Sequence, residues 1–167
     1  MAGTDKDAAR AILERALCLE LDGEAFYREA AGKTTDPSGK RMFLDLAEQE
    51  ADHQRIIQRQ ISSVAFAGRF ADERLEAPAC DYRESLFPQG LARAQALGPR
   101  ANELEAIWYA LGKENESYDL YRQGALSAQD DQARILYEYL MAAERTHFEI
   151  LMSNYEEIQK QQYRAGP

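Results

Sequence analysis

Apolar residues recur along much of the chain in alternating steps of three and four, the spacing of a helix face that packs inside a bundle. The first such seam reads Leu13, Ala16, Glu20, Gly23, Tyr27, Ala30. Thr4 with Asp7 three positions on predicts its N-cap, and Gly32 its C-cap, giving a helix over about 5–31. Asp36-Pro37 supplies a second cap followed by proline at the first helical position. The seam after it, Phe43, Leu46, Glu50, His53, Ile57 and Val64, predicts a helix over about 37–68.

From Phe70 to Gly98 the period is lost, interrupted by Pro78, Pro88 and Gly90 and closed by Gly98-Pro99. So long a connection inside one domain reads as a crossover, over 69–99, between two helical hairpins. The period returns in Ile107, Ala110, Glu114, Ser117 and Tyr121, predicting a helix over about 100–127. It continues in Tyr137, Leu140, Glu144, His147, Leu151 and Ile158, predicting a helix over about 130–160 and a disordered tail from Gln161. The pattern predicts an all-α, four-helix bundle made as a single domain over 1–167.

The two hairpins are copies of one another. Glu50-Ala-Asp-His53 has a twin in Glu144-Arg-Thr-His147, 94 positions on, and Ala16-Leu17, Glu20 and Tyr27 recur at the same offset as Ala110-Leu111, Glu114 and Tyr121. Thr35, in the first predicted turn, is midway between Glu20 and Glu50; Gln129, in the last, is midway between Glu114 and Glu144. In antiparallel hairpins these glutamates stand at matching heights. Glu and His at positions i and i+3 share a helix face, so each Glu-x-x-His presents a carboxylate and an imidazole to one point.

Composition narrows the function. The formal charge of −9 and a pI near 4.8 exclude a nucleic-acid surface, which needs clustered Lys and Arg. Cys18 and Cys80 are too isolated for a disulfide framework or a Cys-x-x-Cys knuckle, which fits a reducing cytoplasm. No segment is apolar for long enough to span a bilayer, and the first residues have no apolar signal core. Cys18 lies two residues from Glu20, on the opposite helix face, where a structural role is expected.

The candidate metal ligands are Glu20, Glu50, His53, Glu114, Glu144 and His147. Any one Glu-x-x-His is explained by a solvated helix face. Six residues at matched heights on apolar seams, using both histidines of the chain, are not. Four carboxylates offset two divalent ions, and mixed carboxylate and imidazole ligation suits iron or manganese, with zinc a substitute. Glutamates of this kind on four helices are the pattern of di-metal carboxylate bundles. Tyr27 and Tyr121, two turns beyond Glu20 and Glu114, are placed either to donate hydrogen bonds to ligand carboxylates or to pack as ordinary core tyrosines. Trp108 is explained by packing.

On these residues the chain resembles the ferritin-like superfamily, and within it the rubrerythrin-like proteins, over about Ala8 to Ile158. The resemblance implies that Glu50 and Glu144 bridge two irons, that Glu20 and His53 hold one and Glu114 and His147 the other, and that no catalytic residue is needed beyond the ligands. It implies an oxidoreductase that reduces H2O2 or O2. A ferroxidase or other iron-handling protein, and an interaction bundle with structural metals, are the alternatives. Rubrerythrins proper add a rubredoxin domain with paired Cys-x-x-Cys; its absence here predicts a separate electron-donor protein. They also carry a further glutamate one turn beyond the third-helix ligand, where Ser117 stands, so a ligand shift onto that glutamate has no residue to serve it. With no fifth helix in the pattern, the expected assembly is a homodimer rather than a cage.

Overall fold

The structure, a computed structural model, describes residues 3–75 and 100–165. Four helices account for nearly all of them: α1 (Gly3–Lys33), α2 (Pro37–Ala67), α3 (Ala101–Ser127) and α4 (Asp131–Ala165). α1 packs along α2 and α3 along α4 as two hairpins, which meet through α1 with α3 and α2 with α4. The crossover expected over 69–99 lies outside the described residues from position 76 on.

Local chemistry sets most of the helix ends. Asp36 accepts a hydrogen bond from the Gly39 amide (2.9 Å) with Pro37 next in line, and Gly68, at φ 69°, ends α2 in a left-handed turn that bonds back to Val64. At the start of α4, Asp130 Oδ1 accepts from the amides of Gln132 (2.9 Å) and Ala133 (3.1 Å). Three expectations need correction. Thr4 is no N-cap, because α1 is already helical at Gly3. Gly32 is no C-cap: α1 runs on to Lys33, which pairs with Glu29 one turn back, and Thr34 closes the helix by donating its hydroxyl to the Ala30 carbonyl (2.8 Å). The expected tail from Gln161 is helical to Ala165, held by Gln161, which donates to Glu157 (3.1 Å) and accepts from Arg100 (3.2 Å).

The seams fill two apolar clusters, one toward each end of the bundle. Tyr27, Phe43, Leu46, Ile107, Leu151 and Ile158 belong to the first. Leu13, Ile57, Val64, Tyr121, Leu136 and Leu140 belong to the second. Each helix contributes to both, and the point where it passes from one to the other is a charged residue: Glu20, Glu50 with His53, Glu114, Glu144 with His147. The polar residues thus form one layer between two apolar plugs.

Away from that layer, Arg100 grips the buried Glu103 with two hydrogen bonds (2.6 and 2.7 Å) and reaches Asp36 at 3.4 Å, tying the start of α3 to the α1–α2 turn. Buried Gln60 accepts from the Ala71 amide (2.8 Å) and so pins the chain leaving α2. No helix among the described residues is long and apolar enough to cross a membrane.

Close packing between α3 and α4 yields a paired prediction. A Cβ at Gly124 would stand 2.9 Å from the buried Tyr137 ring, whereas a Cβ at the exposed Gly112 meets nothing within 4 Å. Gly124→Ala is expected to destabilise by about 1–3 kcal/mol through overpacking, and Gly112→Ala to stabilise by up to about 1 kcal/mol through helix propensity. Urea unfolding of the two variants checks both signs.

Candidate metal centre

Six ionisable side chains meet in the middle layer, all between 0 and 3% exposed: Glu20 from α1, Glu50 and His53 from α2, Glu114 from α3, Glu144 and His147 from α4. These are the six singled out by spacing, and the structure brings all of them together. His53 Nδ1 stands 3.1 Å from Glu20 Oε2, 3.4 Å from Glu50 Oε2 and 3.5 Å from Glu144 Oε1. His147 Nδ1 stands 3.3 Å from Glu50 Oε1, 3.4 Å from Glu114 Oε2 and 3.8 Å from Glu144 Oε2. Two four-residue groups result, Glu20/Glu50/His53/Glu144 and Glu50/Glu114/Glu144/His147, each with its ligand atoms within 4.8 Å of one another. Glu50 and Glu144 belong to both. The imidazoles lie nearly parallel, 5.4 Å apart.

The tyrosines hold this layer from across the bundle. Tyr27 on α1 donates to Glu114 on α3, and Tyr121 on α3 donates to Glu20 on α1, so each hairpin orients a carboxylate of the other. Their positions follow from the repeat, since α1 and α3 run antiparallel and the residue seven places beyond one glutamate comes level with the other. Which carboxylate each tyrosine reaches is not legible from spacing within one helix.

Spacing also missed Gln54. It is buried behind Glu20, donating to the Glu20 carbonyl (3.2 Å) and to Glu24 Oε2 (2.8 Å). The one signal for it is its place beside His53. Ser117 and Gly23, expected on inward seams, are half-buried and line a cavity between α1 and α3. Trp108 is partly buried against the first apolar cluster beside Tyr155, and Cys18 is exposed.

Four carboxylates so deep in an apolar bundle cannot all stay ionised without compensating charge. Burial, followed by the Glu50 carboxylate beside it, pushes Glu20 up to about 8. Glu144 rises well above the ordinary range from burial and the charges of Glu20, Glu50 and Glu114. Burial would raise Glu50 as well, yet the neighbouring Glu20 carboxyl and the His147 and His53 imidazoles outweigh it and hold Glu50 below the usual carboxylate range. Burial alone would lower the imidazoles; the Glu20 and Glu50 carboxylates raise His53 to about 9, and the Glu114 and Glu50 carboxylates raise His147 to about 10. Without metal, protons supply the missing positive charge.

Divalent ions fit the same role. Glu114 Oε2, Glu144 Oε1 and both nitrogens of His147 are buried without a hydrogen-bond partner, an arrangement that costs stability unless something coordinates them. Each His Nδ1 faces three carboxylate oxygens, more than one N–H can serve. These are groups able to hold a metal pair.

The family model for rubrerythrin matches residues 11–155. No curated protein matches the chain. Among solved structures, a hypothetical protein from Pyrococcus furiosus superposes with a TM-score of 0.68 over 92% of this chain and 91% of its own, at 23% sequence identity. That likeness shows a shared helical-bundle fold, and the family match places the bundle in the ferritin-like superfamily.

The raised proton affinities carry a sign. Glu20, His53 and His147 bind protons more tightly folded than unfolded, so their contribution to stability is fully present below their ordinary values and lost as pH rises through about 8, 9 and 10. Glu50 works the opposite way, losing its contribution on acidification. The metal-free protein is expected to melt at progressively lower temperature between pH 7 and pH 10. Zinc-loaded protein should melt higher throughout and show little of that decline, because the ions replace the protons. Melting curves with and without zinc across this pH range check it.

Proposed function

The chain belongs to the rubrerythrin family, and from that premise we propose that it is a non-haem di-iron oxidoreductase that reduces peroxide or dioxygen with electrons from a separate donor. The observation that supports this most directly is the sharing of Glu50 and Glu144 between the two ligand groups. In this reading Glu20 and His53 would hold one ion and Glu114 and His147 the other, with Glu50 and Glu144 available to both. Iron suits this mixed carboxylate and imidazole set, as does manganese, and when bound such a pair supplies two electrons to an O–O bond.

The protein's own residues do the remaining work. Glu50 and Glu144 fix the spacing of the two positions from the middle of two helices, whose apolar turns on either side exclude bulk water. Tyr27 and Tyr121 keep their protons, since burial followed by the neighbouring Glu114 and Glu20 carboxylates raises both phenols well above 10. They therefore remain donors, and orient Glu114 and Glu20 through the outer carboxylate oxygens. His53 and His147 must give up their protons for metal to bind, which ties loading to pH.

Anaerobic loading is expected to give two irons per chain, and the loaded protein should consume H2O2 with an artificial reductant. Tyr27→Phe should weaken iron binding about 10- to 100-fold, while Glu144→Ala should lower the iron content to one per chain or less and abolish consumption. Full loading with no peroxide or dioxygen consumed by wild type would remove the redox reading. Many more than two irons per chain in a large assembly would point instead to iron handling.

A further inference from the structure

A cavity of about 310 Å³ lies between α1 and α3 and reaches the carboxylate layer. Glu50, Glu114 and Glu144 line its inner end, while Glu20, His53 and His147 are not among its walls. Among the described residues this cavity meets the layer from one side, although the two halves of the chain repeat. It touches three of the four residues in the Glu114/His147 group and two of the four in the other.

Two small residues leave this space open. Gly23 and Ser117 sit one helical turn beyond Glu20 and Glu114 at equivalent places in the repeat. A Cβ at Gly23 would stand 3.4 Å from the Glu50 carboxylate, in van der Waals contact, so a side chain longer than alanine's would occupy the inner end. The outer walls include Phe26 and Tyr109, whose rings stand 4.8 Å apart. At the mouth are Asp22 and Lys113, the latter paired with Glu116 at 3.0 Å.

These features select by size and charge. The volume is that of roughly ten water molecules, enough for a molecule of a few heavy atoms. Aromatic walls favour an apolar substituent, carboxylates at the inner end accept hydrogen bonds from a hydroxyl group, and the acidic lining disfavours anions. We propose that this cavity is the passage by which a small uncharged hydroperoxide reaches the cluster from the Glu114 side, with Gly23 and Ser117 setting the largest substituent that can pass. The hydroperoxide rests on the redox reading above; the passage itself does not.

Two measurements test it. In zinc-loaded protein carrying Cys18→Ser, Cys80→Ser and Ser117→Cys, the new thiol should react within minutes with uncharged methyl methanethiosulfonate and at least tenfold more slowly with the anionic sulfonatoethyl reagent. A thiol untouched by the uncharged reagent over hours, or equal rates for both, would overturn the passage. In iron-loaded protein, Ser117→Leu should slow the consumption of tert-butyl hydroperoxide at least tenfold more than that of H2O2, with two metal ions still bound. Equal slowing, or none, would overturn the size selection. Should iron-loaded wild type consume neither hydroperoxide, the redox reading fails, while thiol labelling still decides the passage.

Discussion

Four carboxylates stand in the middle of a helical bundle whose other inward positions are largely apolar, and the rest of the structure answers to their charge. Buried at 3% exposure or less, they cannot be hydrated, and a buried charge without a partner costs far more than a hydrogen bond returns. The two imidazoles and two phenols compensate in part: the imidazoles take up protons, and the phenols donate to the outer oxygens of Glu20 and Glu114. Several polar atoms are left over, on Glu114, Glu144 and His147. A core with that many unsatisfied groups is a poor way to stabilise a bundle and a suitable way to hold cations.

Duplication explains how the layer is assembled. One helical hairpin with a glutamate on its first helix and Glu-x-x-His on its second presents half a site; a second copy completes it, and the crossed tyrosine contacts lock the halves together. The copies have also diverged. Gln54 and Glu24 form a polar brace behind Glu20, whereas the equivalent positions in the second half are the buried aromatics Phe148 and Tyr118. Together with a cavity that reaches the Glu114 side, this makes the two candidate ligand groups inequivalent in surroundings while they remain similar in composition.

Much of this was legible in the sequence because helix periodicity is a strong signal when charged residues interrupt an apolar seam. Glu20 and Glu114 stood out for being on the wrong face, and turn midpoints placed them level with Glu50 and Glu144. Helix ends were harder. Thr4 and Gly32 carry cap chemistry, yet α1 runs through both, and the exposed Lys33–Glu29 pair lies at the C-terminal end just past the glycine. Gln161 looked like the start of a tail because its stabilising partner, Arg100, is distant in sequence. Gly23 and Ser117 read as seam positions, which they are; that the space beside them is left as a cavity depends on how α1 and α3 approach, and no single-helix pattern encodes it.

The central claim is that the six residues form one site for two ions sharing two carboxylates. Anomalous diffraction from crystals grown with zinc tests this most directly. The account predicts two peaks in the middle layer, one about 2.0–2.1 Å from a His53 nitrogen and one at that distance from a His147 nitrogen, with Glu50 and Glu144 each in contact with both. A single peak, or two with Glu50 and Glu144 each confined to one ion, would contradict it.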